Sequence, residues 1–286
     1  MNLHKIMTLV RREFQEHRML WIGPLGAAGL MLVLVALSNH VQNQGIAFDA
    51  SAPLAARGYL WAAGFSLFGL VAMIGLIAGV LAGFYALDCL YAERKDRSIL
   101  FWKSLPVSDT ETVLSKFLVA VLLVPLGVLL LTVLMQPLMA LVLYARFEPL
   151  RPYFGMELLT TWIRLVPYLM ATGLFAILWF APVTAWLMLA SVGARRAPLA
   201  IAVLPALAAP IENWVFDTRY VGRFLAERLF PWPRHLPSLI GPYIAPGEHG
   251  LNWWQPFQDP GLWIGLAVAA GMLYMVIRLR RYRDDT

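Results

Sequence analysis

Charge is scarce in this sequence and cysteine almost missing. Only 14% of its 286 residues are charged and 60% are hydrophobic, whereas a soluble domain carries roughly 25% charged and about 45 to 50% apolar residues. That balance excludes a water-soluble enzyme. Cys89 is alone, which excludes an intrachain disulfide framework and a cysteine-rich zinc site. His4, His17, His40, His235 and His249 all stand outside the long apolar runs, so nothing points to an intramembrane metal cluster. No histidine or lysine lies within a run to activate a serine such as Ser66, which argues against an intramembrane hydrolase. The phosphate-cradling pattern G-x-x-x-x-G-K-(S/T) is also missing.

What is present in abundance is apolar sequence. Runs long enough to cross a hydrocarbon core of about 30 Å occupy 19–38, 58–87, 117–145, 165–192, 199–216 and 261–277. The expected fold class is therefore an all-α polytopic membrane protein with six transmembrane helices. Residues 1–18 form an amphipathic interfacial helix and residues 19–286 one six-span domain. The fifth run is short and broken by Pro205 and Pro210, which suits either a cavity lining or a proline kink packed in the bundle. Gly64, Gly69, Gly75, Gly79 and Gly83 would permit close helix approach in the second span.

An even number of crossings puts both chain ends on one side, and lysine and arginine decide which. Fifteen of the 23 basic residues fall on one face, among them Lys5, Arg11, Arg12, Arg18, Arg94, Lys95, Lys116, Arg195, Arg280 and Arg281. The other face has as many acids as bases, so the net charge of +6 resides on the first. That face is expected to be cytoplasmic. Because the basic residues follow the loop ends, nucleic acid is not an expected partner. The lipid bilayer is.

In the first 18 residues, Leu3, Ile6, Met7, Val10 and Phe14 share one helical face, while Lys5, Arg12, Gln15 and Glu16 share the other and Leu9 falls outside the apolar stripe. Such a helix lies in the headgroup layer and turns into the first span near Trp21. Between the second and third spans, residues 88–116 read DCLYAERKDRSILFWKSLPVSDTETVLSK. A short helix from Glu93 to Lys103 ends at Pro106, and Ser108 with Glu111 makes a Ser-x-x-Glu capping box that opens the next helix. Phe101 and Trp102 beside Arg94, Lys95, Arg97 and Lys103 form an aromatic and basic patch. Such a patch either seats a protein partner or lies among lipid headgroups; composition does not choose.

The string ERKDRSILFWKSLPVSDTETVLSK resembles the loop between the second and third spans of ABC-2 type transporter permeases. There an E-(K/R)-x-x-G-(S/T) start leads to an S-L-P-V-S turn, although Arg97 stands where many members have glycine. The resemblance extends to the layout of the whole chain. It implies that the loop is a coupling helix seated on a separate ATPase subunit, with matched positions Glu93, Arg94, Lys95, Asp96, Ser98, Ile99, Leu100, Ser104, Leu105, Pro106, Val107 and Ser108. Phe101 and Trp102 join that surface from their chemistry alone. The resemblance further implies two ATPase copies that bind ATP and Mg in place of any cofactor in this chain. It also implies a second permease subunit, identical or related, and export across the bacterial inner membrane with both termini cytoplasmic.

Within the spans no charge lies near the bilayer centre, which argues against proton coupling and fits a hydrophobic or amphipathic substrate. Gln136, Glu212 and Asn213 are the candidate polar residues of a substrate path. Interhelical hydrogen bonding is the competing role for Gln136, and pairing with an outer arginine the competing role for Glu212. The segment 217–260 is proline-rich yet aromatic; the resemblance implies short helices there that dip into the membrane and cap the exit. A membrane anchor that recruits a cytosolic partner through 94–105, without transport, is the alternative function.

Overall fold

The computed structural model describes residues 3–37, 53–96, 107–146, 151, 155–229 and 254–282. Every span in the sequence corresponds to a helix or a pair of helices, and no strand occurs among the described residues. Helix α1 (Leu3–Glu16) leads through a short elbow into α2 (Met19–Leu37), the first span. The second span is α3 (Pro53–Asp88), followed by the single turn and a half of α4 (Tyr91–Lys95). The third is α5 (Asp109–Leu118), a π-helical turn at Val119–Leu123, and α6 (Val124–Arg146). Helix α7 (Met156–Gly193) is the fourth span, α8 (Pro198–Ala202) with α9 (Leu204–Phe216) the fifth, and α11 (Pro260–Tyr282) the sixth, after α10 (Tyr220–Leu229). Six of these stretches are long and apolar enough to cross a membrane. The protein is an all-α polytopic membrane protein.

The helices alternate in direction, so one end of the bundle gathers α1, the end of α3, the start of α5, the end of α7 and the end of α11. We call it the proximal end. Its core joins Leu20, Tyr85, Cys89, Leu90, Val113, Val119, Met188 and Val276, all buried and drawn from five of the spans. Toward the distal end, Ala28, Ile74, Met139 and Leu143 close α2 against α3 and α6. Val121, Leu129, Ile177, Ala181 and Ala269 join the third, fourth and sixth spans in between. Large apolar side chains such as Leu34, Leu76, Leu134 and Ile264 point outward, as a surface bathed in lipid requires.

Local chemistry sets the breaks. Ser108 caps α5 through both halves of the capping box: its Oγ accepts from the Glu111 amide at 3.2 Å, and its own amide donates to the Glu111 carboxylate at 3.1 Å. The expected helix at 93–103 begins at Tyr91, and its described part ends at Lys95; residues 97–106 lie outside the described residues. In the fifth span the helix breaks at Val203. Pro205 accounts for this, because it lacks an amide proton and its ring collides with the carbonyl four residues before. The π turn lets Val119, Ala120 and Val121 all be buried in succession, which a regular α-turn with 100° between side chains does not allow.

Three sequence expectations change. The fifth span is neither packed as a kink inside the bundle nor lining a cavity within the chain: none of its apolar window is buried. Gly69, Gly75 and Gly79 face open space and Gly83 makes an ordinary contact with Leu187, whereas Gly23, Gly173 and Gly265 are where a Cβ would overlap a neighbour. The buried face of α1 is also rotated toward its polar side. It carries Ile6, Leu9, Glu13 and, in part, Val10 and Phe14, while Met7 is 67% exposed. Leu9, outside the apolar stripe, thus belongs to the packed face, because the bundle offers α1 a cationic partner for Glu13 as well as apolar surface.

Candidate functional site: a buried ion cluster at the proximal end

Four elements bring charge into the proximal core. Position 13 follows Ile6, Leu9 and Val10 at helical spacing, so the face that packs α1 on the bundle also buries Glu13, which is 2% exposed. Lys116, also 2% exposed, projects from α5 and donates to Glu13 Oε1 at 2.7 Å. The other Glu13 oxygen accepts from the Tyr85 hydroxyl at 2.8 Å. Lys116 Nζ is 3.2 Å from Glu93 Oε1. Glu93 Oε2 accepts from Arg280 Nη1 at 2.6 Å, and Arg280 Nε reaches Asp109 Oδ1 at 3.0 Å. Arg12 closes the ring, 3.2 Å from Glu13 and 3.7 Å from Glu93. Among the described residues these six side chains are three acids and three bases, and Arg12 also pairs with the exposed Glu16 at 3.0 Å.

Charge balance is what makes the arrangement tolerable. A buried ion pair gains Coulomb energy only when geometry and supplementary hydrogen bonds offset desolvation, and a single unpartnered charge there is strongly destabilising. Glu13 and Glu93 each meet two or more cations or donors at short distance, and Asp109 joins through Arg280, so the six side chains act as one unit. They tie α1, α4, α5 and α11 together.

Helix α4 is held on its other side by the end of α7. Its first amides, Leu90 and Tyr91, both donate to Ser191 Oγ, at 3.2 and 3.0 Å. Arg94 Nη2 donates to the carbonyls of Ser191 and Ala194, at 2.6 and 2.9 Å. A guanidinium on the last carbonyls of a helix satisfies acceptors that have no intrahelical partner and complements the negative dipole end. Tyr91 Oη donates to the Arg196 carbonyl at 2.7 Å, beyond the end of α7. The entry to the 97–106 segment is therefore gripped by the ion cluster and by α7, and its exit, at Ser108 and Asp109, by the capping box and Arg280.

Of the residues singled out for coupling, Glu93 and Arg94 are brought together here, but both turn into the protein. Lys95 and Asp96 are exposed. Ser98, Ile99, Leu100, Phe101, Trp102, Ser104, Leu105 and Pro106 lie outside the described residues. Sequence reasoning took Lys116 and Arg280 for side-determining charges and passed over Glu13. The available signal was an acid in register with Ile6, Leu9 and Val10.

The expected substrate-path residues are engaged at the distal half. Gln136, 5% exposed, accepts from Trp162 Nε1 at 2.9 Å and so joins α6 to α7. Among the described residues Glu212 meets no arginine. Its carboxylate accepts from the Tyr220 and Val221 amides, each at 2.8 Å, and from the Thr218 hydroxyl at 3.0 Å. These hydrogen bonds make it the N-terminal cap of α10. Asn213 accepts from Arg219 Nε at 2.9 Å. Asp217, with φ of 50°, turns the chain so that α10 returns along α9. At its far end Arg228 is 3% exposed, lies 4.1 Å from the Trp179 ring centre, and donates to the carbonyls of Trp179 and Gly261. Of the segment 217–260, residues 230–253 lie outside the described residues.

Residues 57–180, a little under half of the chain, match the family model described as ABC-2 family transporter protein. This supports an ABC-2 type permease. No curated protein and no solved structure matches. The matched permease segment contains Glu93, Asp109 and Lys116 of the cluster, whereas Arg12, Glu13 and Arg280 come from outside it. An ABC-2 permease is the membrane component of an ABC transporter and not its ATPase, and it implies an ABC ATPase as partner.

Proposed function

We propose that this chain is the permease of an ABC exporter of the bacterial inner membrane. It moves a hydrophobic or amphipathic substrate, with ATP and Mg bound and hydrolysed by two copies of a separate ATPase that seat on the 97–106 segment. Both chain termini are cytoplasmic, on the face rich in lysine and arginine. The observation that carries this reading is the grip on the flanks of that segment: Glu93 before it and Asp109 after it both hold Arg280, at 2.6 and 3.0 Å. A push delivered between them reaches α1, α7 and α11 together, because two packed flanks joined by one ion cluster move as a body. In this role Glu93 and Arg94 transmit force from inside the protein. Phe101 and Trp102 make the contact with the ATPase.

The distal half supports this substrate class, because the deep polar groups of the described residues there are engaged internally. Gln136 is bonded to Trp162 and Glu212 to the first turn of α10, so the described spans present apolar walls. A second permease, identical or related, covers the fifth span. Leu207, Ile211 and Trp214 there are 57%, 59% and 86% exposed, and Pro210 removes the amide that would bond the Ala206 carbonyl. Backbone polar groups freed at membrane depth are tolerated when protein covers them.

The test is reconstitution of the chain with its ATPase in vesicles. Substrate-stimulated ATP turnover and a complex of two permeases with two ATPases are expected, and Phe101→Ala or Trp102→Ala should abolish the stimulation while the chain still inserts. Turnover indifferent to substrate and to both substitutions would favour the anchor that recruits a partner without transport.

A further inference from the structure

We infer that the elbow between α1 and α2 is a binding site for an anionic phospholipid. A groove of about 640 Å³ lies there, lined by Arg11, Phe14, Gln15, Arg18, Trp21 and Ile22. Arg11 and Arg18 are both exposed, and among the described residues neither guanidinium is engaged by a carboxylate. Their neighbour Arg12 differs: about 100° round the helix from Arg11, it reaches Glu13 of the ion cluster at 3.2 Å and pairs with Glu16 at 3.0 Å. Arg11 stands on α1 and Arg18 in the elbow that follows it, and both line the groove.

The rest of the groove is apolar. Trp21 and Ile22 are 44% and 45% exposed where the first span begins, and the Trp21 indole is fixed by donating to the Phe14 carbonyl at 3.2 Å. Two unpaired cations at the headgroup level, directly above an aromatic and aliphatic wall at the level of the acyl chains, match the two halves of a phospholipid. A soluble anion uses only the first half. The phosphate lies between the two arginines and an acyl chain descends along Trp21 and Ile22. Since the opposite face of the same helix carries Glu13, an occupied elbow holds α1 in the rotation that keeps Glu13 against Lys116. The inference rests on the membrane embedding of the bundle. It depends neither on ATP-driven transport nor on which face is cytoplasmic.

The experiment measures retention of fluorescent phosphatidylglycerol against fluorescent phosphatidylcholine by the full-length chain in mild detergent micelles. The chain should prefer phosphatidylglycerol. Arg11→Gln and Arg18→Gln should each lower that preference about fivefold, and the double variant about 30-fold. Arg11→Lys/Arg18→Lys should keep most of it, and Trp21→Ala should weaken retention of both lipids. Arg195→Gln and Arg281→Gln, exposed arginines elsewhere at the proximal end, should change nothing. The inference is overturned if the double variant keeps the preference, if Arg281→Gln matches its loss, or if inorganic phosphate displaces the lipid, which would mark a site for a soluble anion.

Discussion

Replacing Glu93 by glutamine keeps the side chain's shape and removes one negative charge from six described side chains in which acids and bases are equal in number. Arg280 and Lys116, 3% and 2% exposed, then share a region with one uncompensated positive charge. Arg280 keeps Asp109 at 3.0 Å and Lys116 keeps Glu13 at 2.7 Å, so neither is orphaned, but each loses its link to the other. Breaking a buried pair from one side costs about 3 to 5 kcal/mol, whereas an exposed pair costs about 0 to 1. The burial of all three partners places this pair in the first class. At about 1.4 kcal/mol per factor of ten, the folding equilibrium should fall by about two to three and a half powers of ten. That change is readable in a titration of the purified chain from mild detergent into SDS.

The decisive comparison is with Lys116→Met and with the double variant. Lys116→Met leaves one negative charge in excess and should destabilise by a similar amount. Glu93→Gln with Lys116→Met restores neutrality, so the double variant should be at least about 2 kcal/mol more stable than the sum of the singles. Additive effects, or a loss below about 1 kcal/mol for Glu93→Gln, would refute the view that these side chains form one desolvated unit. Their role in coupling would fall with it.

Two further outcomes follow from the distal half. Trp162→Phe removes the donor to Gln136 and should cost about 0.6 to 1.7 kcal/mol in the same SDS titration, the range of single interhelical hydrogen bonds in membranes; a loss well above that would assign Gln136 a further partner. Glu212→Ala uncaps α10, so the Tyr220 and Val221 amides should exchange with deuterium faster, while those of α7 stay unchanged. Unaltered exchange at both amides would show that the hairpin is held by Arg228 alone.

Much of this molecule was legible from its residues. The length of each apolar run marks a crossing, because an unbonded backbone cannot be left in lipid and only a helix of about 20 residues spans it. Ser108 and Glu111 announced the start of α5 because a capping box is a local interaction between residues three apart. Gln136 was expected to bond another helix, and it bonds α7. Glu212 was expected to pair with an arginine; the nearest donors are instead the amides of a helix that turns back at Asp217, a turn that the sequence around it does not advertise.

The ion cluster belongs to the other category. Glu13 and Lys116 are 103 residues apart and Glu93 and Arg280 are 187 apart, so their pairing depends on how far each helix is rotated and slid against its neighbours. Helices that are apolar all round carry no stripe to set that rotation, and a loop charge reads as a topological signal whether it ends in water or in the core. Composition and local pattern therefore determined that the chain threads a membrane and where each helix starts. Only the packed bundle decided which charges left water together, since that choice required all four elements to be in place at once.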